Sequence, residues 1–107
     1  MVRGDVYWIN FEPALGGEIR KRRPAVIVSN NAANKVANRI QVVPLSTNVR
    51  RIGSWEARVS AAGRSHKAMA DQIRTIARER VLDKYGSISG KDMAAVERAI
   101  KVQLGLS

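Results

Sequence analysis

The sequence predicts a small, mainly antiparallel β-barrel with one amphipathic helix at its C-terminal end. Three observations support this fold class: many short stretches rich in β-branched and aromatic residues, charges concentrated in the loops between them, and a single helical stripe near the end of the chain. A length of 107 residues is that of one domain. We therefore expect residues 1–107 to fold as one unit.

The first predicted strand covers residues 6–11 and is apolar on both faces. Val6 and Trp8 point to one side, and Tyr7, Ile9 and Phe11 point to the other. A strand of this kind has to be covered on both sides, either by the protein's own core or by a partner chain. We expect Tyr7 and Trp8 to lie in the core.

Alternation and breaker residues predict five further strands and one helical turn. The strands are expected over 25–28, 39–45, 54–60, 67–76 and 81–88, and the turn over 32–36. The strand over 67–76 is expected to be interrupted by Asp71 and Gln72. Pro44 stands late in its strand, which indicates a sheet edge or a bulge, since proline has no N–H to donate. Trp55 shares its predicted face with Ala57 and Val59 and is expected to be core or a dimer contact.

The C-terminal helix has the clearest sequence signals. Ser89 and Asp92 match a capping box, and Gly105 suits the position just beyond a helix end. The apolar residues of its stripe are Met93, Val96, Ile100 and Leu104. This spacing predicts ordinary core packing against the sheet.

The charge of the chain indicates an anionic partner. Lys and Arg number 19 against 9 Asp and Glu, which gives a formal net charge of +10. Nucleic acid is the first expectation, an acidic protein the second and a membrane surface the third. No apolar run is long enough to span a membrane, and the N-terminal residues lack the apolar core of a signal peptide. We expect a cytoplasmic protein without a membrane role.

Metal and cofactor chemistry have little support in the composition. There are no cysteines, and His66 is the single histidine, so neither a thiolate site nor a two-histidine site can form. His66 lies beside Lys67 in what reads as a polar loop, where a surface position is expected. We expect no metal and no cofactor.

The junction between Arg23 and Pro24 is the strongest candidate for a functional site. Pro24 fixes its own φ and biases Arg23 toward extended geometry, so the guanidinium is held at the mouth of a buried strand. A guanidinium stays charged and binds phosphate through a planar fork. The segment predicts phosphate recognition, although a solvated cation in a basic loop is the simpler alternative.

Four motifs occur in order along the chain. They are Gly4-Asp5-Val6-Tyr7-Trp8, Arg23-Pro24-Ala25-Val26-Ile27-Val28-Ser29-Asn30, Val42-Val43-Pro44-Leu45-Ser46-Thr47 and Asp71-Gln72-Ile73-Arg74-Thr75-Ile76. The set resembles the MazF/PemK (Kid) toxins of bacterial type II toxin–antitoxin systems. The resemblance covers nearly the whole chain, including the closing helix, and implies a single MazF/PemK-like toxin domain over 1–107.

The resemblance also implies a fold, an activity and partners. It implies an SH3-like barrel, a two-fold homodimer and a sequence-specific, metal-independent endoribonuclease (an mRNA interferase) that cuts single-stranded RNA. It further implies that a cognate antitoxin with an acidic, flexible tail blocks the RNA groove.

Four positions match the catalytic residues of this family. The arginine before the proline falls on Arg23, the threonine or serine after the third strand falls on Ser46 with Thr47 adjacent, and the acidic residue of some members falls on Asp71. Some relatives carry a second arginine where this chain has Met69, so Arg74 or Lys67 would have to supply that charge. The loop before Arg23 also lacks the histidine of some relatives.

RNA binding and base selection are expected from the loops, because single-stranded RNA is recognised by splayed bases and basic surfaces. The candidates lie in the loop before the second strand, in the loop after the third, and beside Asp71. They are Glu18, Arg20, Lys21, Arg22, Asn48, Arg50, Arg51, Gln72 and Arg74.

Plainer interpretations stay open. Ser46, Thr47 and Asn48 also suit an ordinary polar turn, and Asp71 could form a salt bridge with Arg74 or Arg78. A gyrase-inhibiting toxin of the CcdB type shares the barrel, but acts through a tryptophan-containing tail, whereas this sequence ends Leu104-Gly105-Leu106-Ser107. A non-catalytic nucleic-acid-binding barrel, or an interaction module for an acidic protein, would also explain the charge.

Overall fold

The computed structural model describes residues 1–13, 15–18 and 21–107; Arg20, a predicted RNA-binding residue, lies outside them. The elements are β1 (Asp5–Asn10), β2 (Arg22–Ile27), α1 (Asn31–Val36), β3 (Arg39–Ser46), β4 (Glu56–Ala61), β5 (Arg64–Met69), β6 (Arg74–Ala77), β7 (Val81–Ser87) and α2 (Gly90–Leu104). Short 3₁₀ turns occupy 70–72 and 78–80. The predicted fold class, mainly antiparallel β with a C-terminal helix, is confirmed.

The strands form one curled antiparallel sheet. Its order is β4-β5-β3-β2-β1-β7, and β6 pairs with the N-terminal half of β3. The two ends of the sheet approach each other where β7 passes the β4–β5 turn: a Cβ built on Gly86 would lie 3.2 Å from the backbone nitrogen of Ala62. Among the described residues no ladder joins β4 to β7, so the sheet is a half-barrel.

Apolar side chains cover both faces of the sheet. One cluster contains Val6, Val26 and Val43 and packs against the buried face of α2. The other contains Ile9, Phe11 and their cross-strand neighbours. The first strand is therefore covered on both sides by the protein's own core, which was one of the two predicted arrangements.

Trp8 departs from the prediction of burial, and Trp55 departs from the first of its two predicted alternatives, core and dimer contact. Trp8 is 37% exposed, since it lies where the first cluster gives way to an open cleft. Trp55 is 44% exposed because it precedes β4, and its ring lies against Gly53 instead of the core.

Of the two alternatives predicted for Pro44, a sheet edge and a bulge, the edge is wrong, because β3 is an interior strand. β3 pairs with β2 on one side and with both β6 and β5 on the other. β6 pairs with β3 only as far as Val42, and β5 pairs with it from Leu45 onward. Pro44 falls in the gap between these two partners, where its missing N–H breaks no ladder on that side.

The predicted interruption of the strand over 67–76 is confirmed and divides it into β5 and β6. Ala70, Asp71 and Gln72 form a 3₁₀ turn between β5 and β6. This turn lets the chain leave one part of β3 and rejoin it at another.

The C-terminal helix begins and ends as predicted, with two differences of detail. Ser89 caps the helix by accepting from the Asp92 N–H at 3.1 Å, and Gly105 has a left-handed conformation with φ 69°. The Asp92 carboxylate does not complete the capping box, because it accepts from the Ser60 N–H at 2.8 Å and so ties α2 to β4. Leu104 was predicted to face the core but is 53% exposed, because the last turn of α2 lies outside the core, with residues 101–107 all exposed. In the described part of the chain, no helix has the length and apolarity needed to cross a bilayer.

Candidate functional site

The ends of β2 and β3 bring two of the predicted catalytic positions together. Ala25 pairs with Pro44, and Arg23 and Ser46 each lie two residues further in the same direction. Residues directly opposite in adjacent strands share a face, and every second residue returns to that face. Arg23 and Ser46 therefore sit on the same face at one end of this strand pair.

A cleft of about 270 Å³ opens beside this strand end. We call it the arginine cleft. The described residues that line it are Trp8, Lys21, Arg22, Arg23, Pro24, Leu45, Thr47, Arg64, His66 and Tyr85. Four of the ten are cationic, so the cleft combines aromatic and apolar walls with a positive rim. The structure thus brings Arg23 and Thr47 into one cleft, together with the predicted RNA-binding residues Lys21 and Arg22.

A second cleft, of about 190 Å³, contains the predicted acid. We call it the carboxylate cleft. It is lined by Phe11, Glu18, Pro44, Asp71, Gln72, Ile73 and Arg74. The Arg74 guanidinium lies over the Phe11 ring at 5.7 Å from its centroid. Gln72 and Arg74 thus lie beside Asp71, and Glu18, from the loop before β2, lines the same cleft.

The two clefts flank the C-terminal end of β3. Leu45 lines the arginine cleft and Pro44 lines the carboxylate cleft, because successive side chains of a strand point to opposite faces. Asp71 therefore does not share a cleft with Thr47, although both lie beside the same strand. Asp71 is exposed, and the ion pairs found among the described residues do not include it, so the alternative of a salt bridge with Arg74 or Arg78 is not observed.

Ser46 begins a turn, as the plainer interpretation expected. Its Oγ accepts from the Asn48 N–H at 3.1 Å, and the Asn48 side-chain oxygen accepts from the Arg50 N–H at 3.3 Å. The Ser46 hydroxyl proton can still be donated to another acceptor. A turn-forming role and a phosphate-binding role are therefore compatible.

The loop after β3 is held by a half-buried ion pair. Lys67, which pairs with Ser46 across the β3–β5 ladder, lies 3.5 Å from the Glu56 carboxylate and donates to the Arg51 carbonyl at 3.2 Å. Glu56 in turn accepts from the Gly53 N–H at 2.9 Å. This pair fixes the loop that carries Arg50 and Arg51, and it occupies the Lys67 ammonium.

The loop between β1 and β2 is closed at its base. Phe11 N–H donates to the Lys21 carbonyl at 2.8 Å, and Lys21 N–H donates to the Glu12 carboxylate at 2.9 Å. Arg80 donates to the carbonyl oxygens of Asn10 and Glu12 from outside. These bonds set where β2 begins, and Arg22 and Arg23 follow within two residues of the closure.

His66 is buried, so the prediction of a surface histidine in a polar loop is wrong. It lies in β5, is 1% exposed and lines the arginine cleft. Its Nδ1 is 3.1 Å from the Arg64 carbonyl and its Nε2 is 2.9 Å from the Tyr85 hydroxyl. Burial lowers the pKa of His66; the nearby Arg64 charge lowers it further, while the hydrogen bond to the Arg64 carbonyl acts in the opposite direction.

His66, Arg64 and Tyr85 are the titratable cleft residues that the sequence did not predict. The β4–β5 hairpin turns at Ala62 and Gly63, whose φ values of 52° and 74° are those of a tight two-residue turn. That turn pairs Val59 with His66 and so places His66 on the buried face. The alternation of Ala57, Val59 and Ala61 before Gly63 was the available signal.

Within residues 1–13, 15–18 and 21–107, no three His, Asp or Glu side chains cluster as metal ligands.

The fold and the clefts define a small, strongly basic half-barrel protein with its polar sites at strand ends. The chain belongs to the family of PemK-like, MazF-like toxins of type II toxin–antitoxin systems, whose profile matches residues 2–104.

The relatives cover the chain almost completely. It is 37% identical over 115 residues to endoribonuclease MazF9 of Mycobacterium tuberculosis, which covers 99% of this chain and 98% of the relative. It is 31% identical over 103 residues to the endoribonuclease toxin MazF of Escherichia coli K12, covering 95% and 92% of the two chains.

Two solved structures show the same fold at more than 25% identity. MazF from Deinococcus radiodurans superposes with a TM-score of 0.87 at 28% identity, covering 99% of this chain and 97% of that one. A mycobacterial endoribonuclease in complex with its cognate antitoxin gives a TM-score of 0.84 at 27% identity, covering 100% and 97%.

Proposed function

We propose that this chain is the toxin of a type II toxin–antitoxin pair, a sequence-specific endoribonuclease that cleaves single-stranded RNA without a metal ion. The observation that carries the proposal is the pairing of β2 with β3, which places Arg23 and Ser46 on one face at a strand end, beside the further cations of the arginine cleft. The names of the relatives and their nearly complete coverage of the chain support the activity.

In this proposal the RNA supplies its own nucleophile. The 2′-OH attacks the adjacent phosphate, and a phosphorane with additional negative charge forms. The bond to the 5′ oxygen then breaks as that oxygen takes a proton from water, which leaves a 2′,3′-cyclic phosphate. Fixed cations facing the non-bridging oxygens stabilise the phosphorane, and preorganised donors of this kind contribute roughly 3–4 kcal/mol each. Arg23 is assigned this role, since its guanidinium can bind two phosphate oxygens at once.

The remaining roles are assigned by chemistry and position. The hydroxyl of Ser46 or of Thr47 would hydrogen-bond the scissile phosphate or the 2′-OH, because neither is a good base alone. Asp71 would accept the 2′ proton from the carboxylate cleft, which opens on the face of β3 that carries Pro44 and, two residues further on, Ser46. Arg74, in the same cleft, supplies the cation that Met69 cannot.

The proposal includes partners and a location. An antitoxin with an acidic, flexible tail would cover the basic clefts, and the structure of a relative with its cognate antitoxin supports such a partner. A two-fold homodimer and action in the cytoplasm, where single-stranded messages occur, belong to the same proposal.

The first experiment tests cleavage and metal dependence together. The purified protein is incubated with a long unstructured RNA in EDTA, and the product ends are mapped. Discrete cuts that leave a 5′-hydroxyl are expected. Intact RNA together with inhibited gyrase would instead favour the CcdB-type alternative, and intact RNA that is only retained would favour a non-catalytic binding barrel.

The second experiment tests the assigned role of Arg23. Arg23→Lys keeps the charge and removes the fork, so we expect kcat to fall on the order of 10²–10³-fold while RNA affinity changes little. Arg98→Lys, at an exposed position of α2, is the matched control and should cleave like the unchanged protein. Near-normal turnover of Arg23→Lys would remove Arg23 from the mechanism.

A further inference from the structure

The interior of the arginine cleft contains a polar pair for which the proposed cleavage has no use. His66 and Tyr85 come from β5 and β7, which are not neighbours in the sheet, and their rings are 5.5 Å apart at 85°. They are joined by the 2.9 Å contact between Nε2 and the phenolic oxygen. This hydrogen bond thus joins two strands that are not adjacent in the sheet, at the wall of an open cleft.

The hydrogen-bond partners determine which atom of this pair is the donor and which is the acceptor. The Arg64 carbonyl can only accept, so His66 Nδ1 carries the proton. In the neutral ring Nε2 then has no proton and accepts from the Tyr85 hydroxyl. With its one proton committed to His66, the Tyr85 oxygen offers only lone pairs to the cleft.

The walls and rim of the cleft suit one nucleotide. Trp8 meets Tyr85 edge to face at 5.3 Å, and Pro24 and Leu45 complete an apolar lining. A volume of about 270 Å³ lies just below the roughly 300–1,000 Å³ of drug-sized sites, which fits a single base. Arg22 and Arg23 stand at the rim, where they can bind the phosphates on either side of such a base.

We propose that the arginine cleft receives one base of the RNA strand and that the Tyr85 oxygen, oriented by His66, selects a base that presents an N–H at that edge. This inference rests on the proposed function and adds a specificity-determining pair to it. An acidic peptide would satisfy the cationic rim equally well, but its carboxylate would meet an acceptor oxygen inside the cleft. The interior therefore favours a base.

The test is the cut-site preference of Tyr85→Phe on a random-sequence RNA pool. The variant keeps the ring and its edge-to-face contact with Trp8 and loses only the oxygen. Loss of one hydrogen bond predicts that base preference at a single position relative to the cut falls by about 3- to 10-fold. Preferences at the other positions and the overall rate should change much less.

Tyr7→Phe is the matched control, because Tyr7 packs against the second core cluster on the opposite face of β1. It should leave every preference unchanged. His66→Gln should relax the same position as Tyr85→Phe, since Tyr85 is then no longer oriented. An unaltered cut-site profile in Tyr85→Phe would overturn the inference while leaving the proposed ribonuclease intact.

A binding measurement keeps the inference testable if cleavage fails. Trp55→Phe leaves Trp8 as the one tryptophan, since the chain has two. Adding a short 2′-deoxy oligonucleotide, which lacks the attacking hydroxyl, should quench Trp8 fluorescence in a saturable way, and Tyr85→Phe should weaken that binding by about 3- to 10-fold. Saturable quenching by poly-glutamate but not by the oligonucleotide would overturn the inference in favour of a protein partner.

Discussion

Removing the Lys67 ammonium tests whether the loop after β3 is held as described. In Lys67→Met the Glu56 carboxylate, whose side chain is only 11% exposed, loses its cation, and the Arg51 carbonyl loses its donor. Breaking a fully buried pair costs roughly 3–5 kcal/mol, whereas an exposed pair contributes roughly 0–1 kcal/mol. With Lys67 16% exposed, this pair is intermediate, and we expect a loss of about 2 kcal/mol in the free energy of unfolding.

The assay is urea unfolding of a double-mutant cycle. Glu56→Gln keeps an oxygen to accept from the Gly53 N–H, so Lys67→Met with Glu56→Gln should recover part of the loss. The matched control is Lys84→Met. Its ammonium also lies 3.5 Å from a carboxylate, that of Asp5, but the Lys84 side chain is 54% exposed.

We expect Lys84→Met to cost at most about 1 kcal/mol. In the cleavage assay, Lys67→Met should raise KM for RNA more than it lowers kcat, because Arg50 and Arg51 lose their fixed position. Equal stability losses in the two lysine variants, with an unchanged KM, would refute the reasoning.

Two further predictions concern stability. Burial lowers the pKa of His66 below its ordinary value of 6.5, so the stability contributed by the neutral ring is fully present above about pH 6.5 and is lost as the pH falls below it. The free energy of unfolding should therefore drop more between about pH 7.5 and about pH 5.5 in the unchanged protein than in His66→Gln. Equal drops in the two proteins would contradict this prediction. Ser89→Ala removes the N-cap of α2 and should lower the free energy of unfolding in urea by about 1 kcal/mol. Ser65→Ala, at an exposed position of β5, is the control and should lower it much less. Equal losses in the two variants would mean that the cap contributes nothing specific.

Short sequence patterns correctly predicted those features that depend on residues close together in the chain. The two apolar faces of β1 and the cap residues of α2 were predicted in this way, because alternation and capping are short-range properties. Pro44 was misjudged for the opposite reason. Its position is tolerated because two different strands share one edge of β3, and nothing near Pro44 in the sequence indicates that.

The same distinction between short-range and long-range contacts separates the predicted from the unpredicted parts of the candidate site. Arg23 was predicted from its junction with Pro24 and Ser46 from the family resemblance, and the antiparallel pairing of β2 with β3 brings the two positions together. The contact between His66 and Tyr85 could not be predicted, because it joins strands from different parts of the sheet order. The separation of Asp71 from Thr47 into two clefts depends on which face each residue of β3 presents, and this became known only from the register.

The central claim, that the RNA supplies its own nucleophile, is tested most directly with an RNA that lacks one oxygen atom. A substrate with a single preferred cut site is made with 2′-hydrogen in place of the 2′-hydroxyl at the nucleotide before the cut, and its cleavage and affinity are compared with those of the unmodified RNA. If the RNA attacks its own phosphate beside Arg23, the deoxy substrate binds nearly as well and is not cut at that site. Cleavage at the unchanged site and rate would show that the nucleophile comes from elsewhere and would contradict the account.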